Sequence, residues 1–110
     1  MPVVSKIDAG VCGFQTEVNA SSEDGMFVNL EVTSECEKIR GLGEALAARC
    51  PINAYEEISP VGESVILSAV RECLTGCCAG CAVPVGIFKS LQVAAGLALP
   101  KDIIITFEKG

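Results

Sequence analysis

The first third of the chain alternates apolar and polar residues with a period of two, and this pattern restricts the possible folds more than any other feature. Strand-like runs cover residues 3–8, 14–21 and 26–33, separated by turns at 9–13 and 23–25. The second turn contains an Asp-Gly pair, which between alternating runs is a strong hairpin signal. The pattern therefore predicts a three-stranded antiparallel meander.

A helix is predicted directly after the meander. Ser34 and Glu37 have the spacing of a capping box, and apolar residues then recur every three or four positions as far as Pro51. Residues 53–58 fit either a loop or a short edge strand.

Two more helices and a last strand complete the predicted fold. The helices are expected over residues 62–74 and from Pro84 onward, since proline suits the first turn of a helix. The strand is expected at Ile103–Glu108. We therefore predict one α+β domain over residues 1–110, with a four-stranded mixed sheet, built from the N-terminal meander and the C-terminal strand, and three helices on one face.

Seven cysteines, no histidine and a net charge of −6 restrict the function. The odd number of cysteines and the absence of a signal-peptide pattern predict free thiols in a soluble, cytoplasmic protein. Without histidine there is no Cys–His or Ser–His pair, so a hydrolase is disfavoured. Whether the chain is an enzyme at all stays open, and a non-enzymatic role is favoured. The acidic excess argues against nucleic acid and membrane as partners. A protein partner and a homodimer both stay open.

Four of the cysteines fall within nine residues, and these define the candidate site. Cys78 and Cys81 form a Cys-x2-Cys pair, whose turn lets two thiolates face one metal ion. A site without histidine must be built mainly of thiolates, which suits zinc or an iron–sulfur cluster. The predicted metal ligands are Cys12, Cys36, Cys77, Cys78 and Cys81.

Each cysteine also has a structural interpretation. Cys50 and Cys73 lie on apolar helix stripes, where a cysteine usually acts as a small hydrophobic residue, and both are predicted to be core. Cys36 lies on a stripe and in a first helical turn, so both roles stay open for it. Cys12 lies between two glycines and either fills a turn or binds metal.

The cysteines of the loop before the last helix are not equivalent. Cys77 and Cys78 are adjacent, and because neighbouring side chains diverge, one of the two is expected to face a shared site. Cys81 precedes a helix beginning near Pro84, whose free N–H groups favour a thiolate.

The predicted topology brings these segments together. In a meander, the first turn and the end of the third strand lie at the same edge of the sheet, which places Cys12 near Cys36. If the last strand runs parallel to the first, the start of the last helix and Cys81 reach that edge as well.

Two stretches, Asp8–Phe14 and Cys81–Lys89 running on to Ala95–Asp102, resemble an uncharacterised family of small cysteine-containing proteins from anaerobic bacteria and archaea. The resemblance covers most of the chain and implies no particular activity. Cys81-x2-Pro84 with Lys89 is also similar to the Cys-Pro-x-Pro motif of persulfide carriers, although Ala82 replaces the first proline. That likeness implies that Cys81 is a sulfur-carrying thiol.

A looser likeness, carried by Cys78-x2-Cys81 and the helix after it, is to the scaffold domain of iron–sulfur assembly proteins. From the cysteine spacing and the absence of histidine, the leading functional prediction is a cytosolic protein that binds zinc or an iron–sulfur cluster through thiolates. The alternatives are a persulfide carrier or thiol redox protein with Cys81 as the reactive thiol and Cys78 as its resolving partner, and a structural or partner-binding domain.

Overall fold

A computed structural model describes residues 2–10, 12–58, 62–76 and 80–109. Three strands form the predicted meander, in which each strand pairs antiparallel with the next. The alternating pattern and the two turns are therefore confirmed as strand and turn signals. The three strands are β1 (Val3–Asp8), β2 (Gln15–Ser21) and β3 (Phe27–Ser34).

The fourth strand is not the predicted one. β4 (Ile52–Asn53) pairs antiparallel with Phe27 and Val28, which gives the order β1-β2-β3-β4 and an antiparallel sheet rather than a mixed one. Residues 101–109 form no regular secondary structure and are exposed. The prediction of a strand at Ile103–Glu108 was wrong because β-propensity produces a strand only where another backbone lies alongside.

The described residues contain four helices, where three were predicted. The additional helix is α2, which begins where the sequence fitted either a loop or an edge strand. Asn53 Oδ1 accepts hydrogen bonds from the backbone N–H groups of Tyr55 and Glu56 and so starts α2. The helices are α1 (Glu37–Arg49), α2 (Ala54–Ile58), α3 (Val65–Cys73) and α4 (Val83–Ala94).

The predicted capping box at the start of α1 is also wrong. Ser34 is still paired with Thr16 in the sheet, so its backbone is extended and Cys36 is the N-cap. The Ser34 hydroxyl group accepts a hydrogen bond from the Cys36 N–H over 3.0 Å instead. Sheet pairing therefore delays the start of the helix beyond the residue that the sequence pattern indicated.

Helices α1 and α4 cover the sheet. α1 packs on β3, where a Cβ at Gly43 would lie 2.9 Å from the Val32 carbonyl oxygen. α4 packs on β1 and β2, and a Cβ at Gly86 would collide with the Ile7 side chain. Both glycines therefore permit close helix–sheet approach. The largest fully buried side chains include Leu42, Leu46, Ile66, Leu74, Ile87 and Leu91.

None of the helices in the described ranges has the length and hydrophobicity that a membrane-spanning helix needs.

Candidate functional site

One end of the sheet collects two of the predicted ligand segments. Asp8 pairs with Gln15, so the turn that contains Cys12 lies at this end. The N–H of Gln15 donates to Glu35 Oε1 over 3.0 Å, and the N–H of Glu35 donates to the Gln15 carbonyl oxygen over 3.3 Å. The β3–α1 junction, with Cys36, is thereby bonded to the end of the same turn. We call this end of the sheet the loop end.

The N-terminus of α4 reaches the loop end too. Gly86 lies against Ile7, and the hydroxyl groups of Ser90 and Ser5 are hydrogen bonded over 2.6 Å. α4 therefore runs antiparallel to β1, and its first turn lies near the end of β1. Cys81, two residues before α4, is brought to the loop end by this packing. The sequence-based route, through a last strand parallel to β1, was wrong, although it led to the same end of the sheet.

The loop between α3 and α4 also begins beside α1. Lys38 Nζ, in the first turn of α1, donates to the Thr75 carbonyl oxygen over 2.9 Å. Thr75 precedes Cys77 and Cys78, two of the five predicted ligands, which lie outside the described residues. No sequence pattern singled out Lys38 or Glu35, because each acts through one contact with the backbone of a distant segment.

Cys12 lies in a turn that two glycines shape. Gly10 and Gly13 have φ values of 85° and 72°, a region that other residues rarely adopt. The N–H of Gly13 donates to the Gly10 carbonyl oxygen over 2.8 Å, and the N–H of Gly10 donates to Asp8 Oδ1 over 2.9 Å. The turn is therefore held by a backbone hydrogen bond and by the Asp8 carboxylate, and the Cys12 side chain is exposed.

Cys36 and Cys81 each adjoin a helix N-terminus. Cys36 is the N-cap of α1, but its sulfur makes no capping hydrogen bond, and the residue is half-buried. Cys81 is half-buried before α4, whose N-cap is Ala82 and whose first turn contains Pro84. At neither helix start does the side chain of the N-cap residue make a capping hydrogen bond. Because both cysteines adjoin a helix N-terminus, the positive end of a helix dipole lies beside each of them.

The two cysteines predicted to be core are half-buried and pack against the core. Cys50 Sγ accepts a hydrogen bond from the Leu30 N–H over 3.3 Å and contacts the Leu30 carbonyl oxygen at 3.9 Å. The short strand β4 pairs only with Phe27 and Val28 of β3, and Cys50 contacts β3 just beyond them, at Leu30. Cys73 is the last residue of α3. Burial alone does not separate these two from Cys36 and Cys81, which are also half-buried against the core.

In the described part of the chain, no three cysteine or acidic side chains are grouped closely enough to hold a metal ion. The acidic groups of the loop end have other contacts, since Asp8 and Glu35 both accept backbone hydrogen bonds. Hydrogen bonds from the N–H groups of Phe27 and Met26 lower the pKa of Asp24, in the β2–β3 turn. That turn is at the opposite end of the sheet.

The chain matches a family of unknown function, DUF6951, over residues 3–107. It belongs to that family. No curated protein and no solved structure matches the chain. Membership agrees with the expected resemblance to a family without an assigned activity, whereas the likenesses to persulfide carriers and iron–sulfur scaffolds stay predictions.

Proposed function

We propose that the protein binds a thiophilic metal centre, a zinc ion or an iron–sulfur cluster, at the loop end. The ligands are Cys12, Cys36, Cys81 and one of Cys77 or Cys78. The observation that supports this proposal is the arrival of three separate cysteine-bearing segments at the same end of the sheet. They are the β1–β2 turn, the β3–α1 junction and the segment before α4.

The chemistry of the loop end favours thiolates over oxygen ligands. The carboxylates of Asp8 and Glu35 accept hydrogen bonds from backbone N–H groups, which leaves the cysteines as the metal-seeking groups. Zinc–sulfur bonds of about 2.3 Å require the sulfurs to lie roughly 4 Å apart. A metal-free chain does not have to hold its sulfurs at that spacing, because metal binding and the final ordering of the ligands are coupled.

The proposal is tested by the metal and labile-sulfide content of the full chain purified without oxygen. Zinc, iron and sulfide are measured per chain for the wild type, for Cys81→Ser and for the matched control Cys50→Ser. We expect stoichiometric zinc, or iron with sulfide, in the wild type and in Cys50→Ser, and its loss from Cys81→Ser. A wild-type chain free of metal after reconstitution, or a Cys81→Ser chain that keeps its metal, contradicts the proposal.

The position of Cys81 favours a second candidate, thiol chemistry without a metal. Cys81 precedes the N-terminus of α4, which has proline in its first turn, and a position at a helix N-terminus favours a thiolate. In sulfur transfer, the Cys81 thiolate attacks the outer sulfur of a donor persulfide. The donor's S–S bond breaks, the donor leaves as a thiolate, and Cys81 carries the persulfide.

Mass spectrometry separates this candidate from metal binding. After treatment with a small-molecule persulfide, the metal-free wild type gains the mass of one sulfur atom at Cys81. Cys50→Ser gains the same mass, whereas Cys81→Ser gains none. Labelling spread equally over Cys12, Cys50 and Cys81 contradicts a special role for Cys81.

A further inference from the structure

Residues 101–109, here called the tail, carry a strand-like sequence that pairs with nothing in the described part of the chain. Every tail residue is exposed. They include four large hydrophobic residues. Ile104 is 81% exposed and Phe107 is 93% exposed, and Ile103 and Ile105 are also exposed to solvent.

The tail has the composition of a pairing strand. It combines three consecutive isoleucines with threonine and phenylalanine and contains neither proline nor glycine. Segments of this kind pair with any open sheet edge that they reach. The family match continues to residue 107, so nearly all of the tail belongs to the sequence that the family shares.

β1 offers such an edge. It pairs with β2 on one side, and no described strand lies on its other side. β1 contains no proline, and its outward-facing Val4 is 56% exposed. Six residues long, it matches the hydrophobic part of the tail in length.

The two faces of the sheet beside this edge differ in polarity. A strand beside β1 has alternate side chains on the helix-covered face of the sheet and on the outer face. On the first face, Val85 of α4 is 50% exposed and adjoins Gly86, which packs on β1. On the second face Val4 lies on the same side of β1 as the exposed residues Lys6 and Asp8, so this face is mixed. The tail has apolar residues on both of its faces, with Ile103, Ile105 and Phe107 on one and Ile104 on the other.

We propose that two copies of the chain form a two-fold symmetric dimer in which the tail of each copy pairs with β1 of the other. Two observations favour a second copy over the chain's own β1. α4 ends beside the β2–β3 turn, where Gly25 approaches the Ala95 carbonyl oxygen, and the tail that follows makes no strand pairing with β1 of the same chain. Every chain also contains both the open β1 edge and the unpaired tail, so a reciprocal exchange in a two-fold dimer covers both of them.

The area buried is sufficient for a stable dimer. An aromatic side chain alone buries about 150–250 Å². Two tails, each with Phe107 and three isoleucines, together with the surfaces that they cover, reach the range of about 1,200–2,000 Å² that is typical of specific interfaces.

Light scattering during size-exclusion chromatography tests the proposal on the full chain. We expect the wild type to have the mass of two chains, that is twice 11.4 kDa. Ile105→Asp places a charge within the paired strand and is expected to halve this mass. The matched control is Leu99→Asp, which changes a residue that is 86% exposed and lies outside the tail, and it should remain a dimer.

Hydrogen exchange identifies the surface that forms the dimer. The amides of the tail and the outward amides of β1 should be protected in the wild type and lose protection together in Ile105→Asp. A monomeric wild type overturns the proposal. Protected tail amides in that monomer would indicate that the tail pairs with its own β1, and unprotected tail amides would indicate a different partner. A dimer that survives Ile105→Asp is held by another surface and overturns it equally. The tail contains none of the proposed metal ligands, so the oligomeric state and the metal content are separate readouts, and the failure of one proposal is distinguishable from the failure of the other.

Discussion

At the residue scale, the described cysteines differ in what their sulfur atoms contact. The sulfur of Cys50 accepts a hydrogen bond from the backbone N–H of Leu30, a residue of β3 that lies beyond the two residues paired with β4. The Cys36 sulfur makes no capping bond at the start of α1, and Cys12 is exposed. Helical periodicity placed Cys50 and Cys73 on apolar stripes, as it did Cys36, because it reports which face of a helix a residue occupies. It did not reveal the contact with Leu30, which depends on β4 being only two residues long.

The contact of Cys50 predicts a structural effect without a functional one. In Cys50→Ala the Leu30 N–H loses its partner and a small cavity is left, which should lower the free energy of unfolding by about 1–2 kcal/mol. Urea denaturation measures this loss. Cys50→Ser keeps a hydrogen-bonding group and should lose less. If Cys50→Ala had wild-type stability but lost bound metal, Cys50 would have to be reassigned as a ligand.

Asp24 predicts a pH dependence of stability. Hydrogen bonds from Phe27 and Met26 lower the pKa of its carboxyl group in the folded protein below the ordinary value of about 3.9. The stabilising contribution is therefore complete above that ordinary value and is lost as the pH falls through the lower, folded value. Asp24→Asn should be less stable than the wild type near neutral pH, and the difference should shrink below about pH 4.

Thermal unfolding at a series of pH values measures the effect of Asp24. Glu23→Gln is a suitable control, since it removes the neighbouring charge and leaves the hydrogen bonds of the turn in place. A gap between wild type and Asp24→Asn that stays constant down to pH 2 would show that the charge is unimportant.

At the element scale, sequence patterns predicted the long elements and missed the short ones. The three meander strands and helices α1, α3 and α4 each repeat an apolar period often enough to be recognised. α2 has five residues, too few for a period, and its signals are the side chains of Asn53 and Glu57. The strand predicted for the tail has the β-branched and aromatic residues typical of strands, but composition contains no information on whether a partner strand is within reach.

Glu57 joins α2 to α3. Its buried carboxylate accepts hydrogen bonds from the Ser64 hydroxyl and from the N–H groups of Val65 and Ile66, all within 2.9 Å. Glu57→Ala leaves the first turn of α3 without these acceptors and should lower the free energy of unfolding by about 3 kcal/mol. The exposed neighbour Glu56 provides the control, because Glu56→Ala removes no side-chain hydrogen bond of α3. Equal losses in guanidinium denaturation would contradict the role assigned to Glu57.

At the scale of the whole molecule, the candidate site depends on how separate elements pack. The meander alone brings Cys12 and Cys36 to one end of the sheet, because antiparallel pairing of three successive strands determines where their turns lie. The position of Cys81 depends on α4 lying antiparallel on β1, which no local pattern specifies. One residue of the sequence does reflect that packing. Gly86 lies in a strongly apolar helix, where the absence of a side chain lets α4 approach β1.

The last prediction concerns this glycine. A side chain at Gly86 meets Ile7, so Gly86→Val should force α4 away from β1 and lower the free energy of unfolding by about 1–3 kcal/mol. Gly41 in α1 has no atom within 4 Å of an added Cβ, so Gly41→Val makes the same substitution in a helix without a collision and should be nearly neutral.

Metal retention against a chelator then connects this packing to the site. If the contact between α4 and β1 holds Cys81 at the loop end, Gly86→Val should lose metal faster than the wild type under conditions where both chains are folded, and Gly41→Val should not. A Gly86→Val chain that is destabilised yet retains metal like the wild type would mean that the ligands are held together by the cysteine loop itself. The packing of α4 on β1 would then position the helix but not the site.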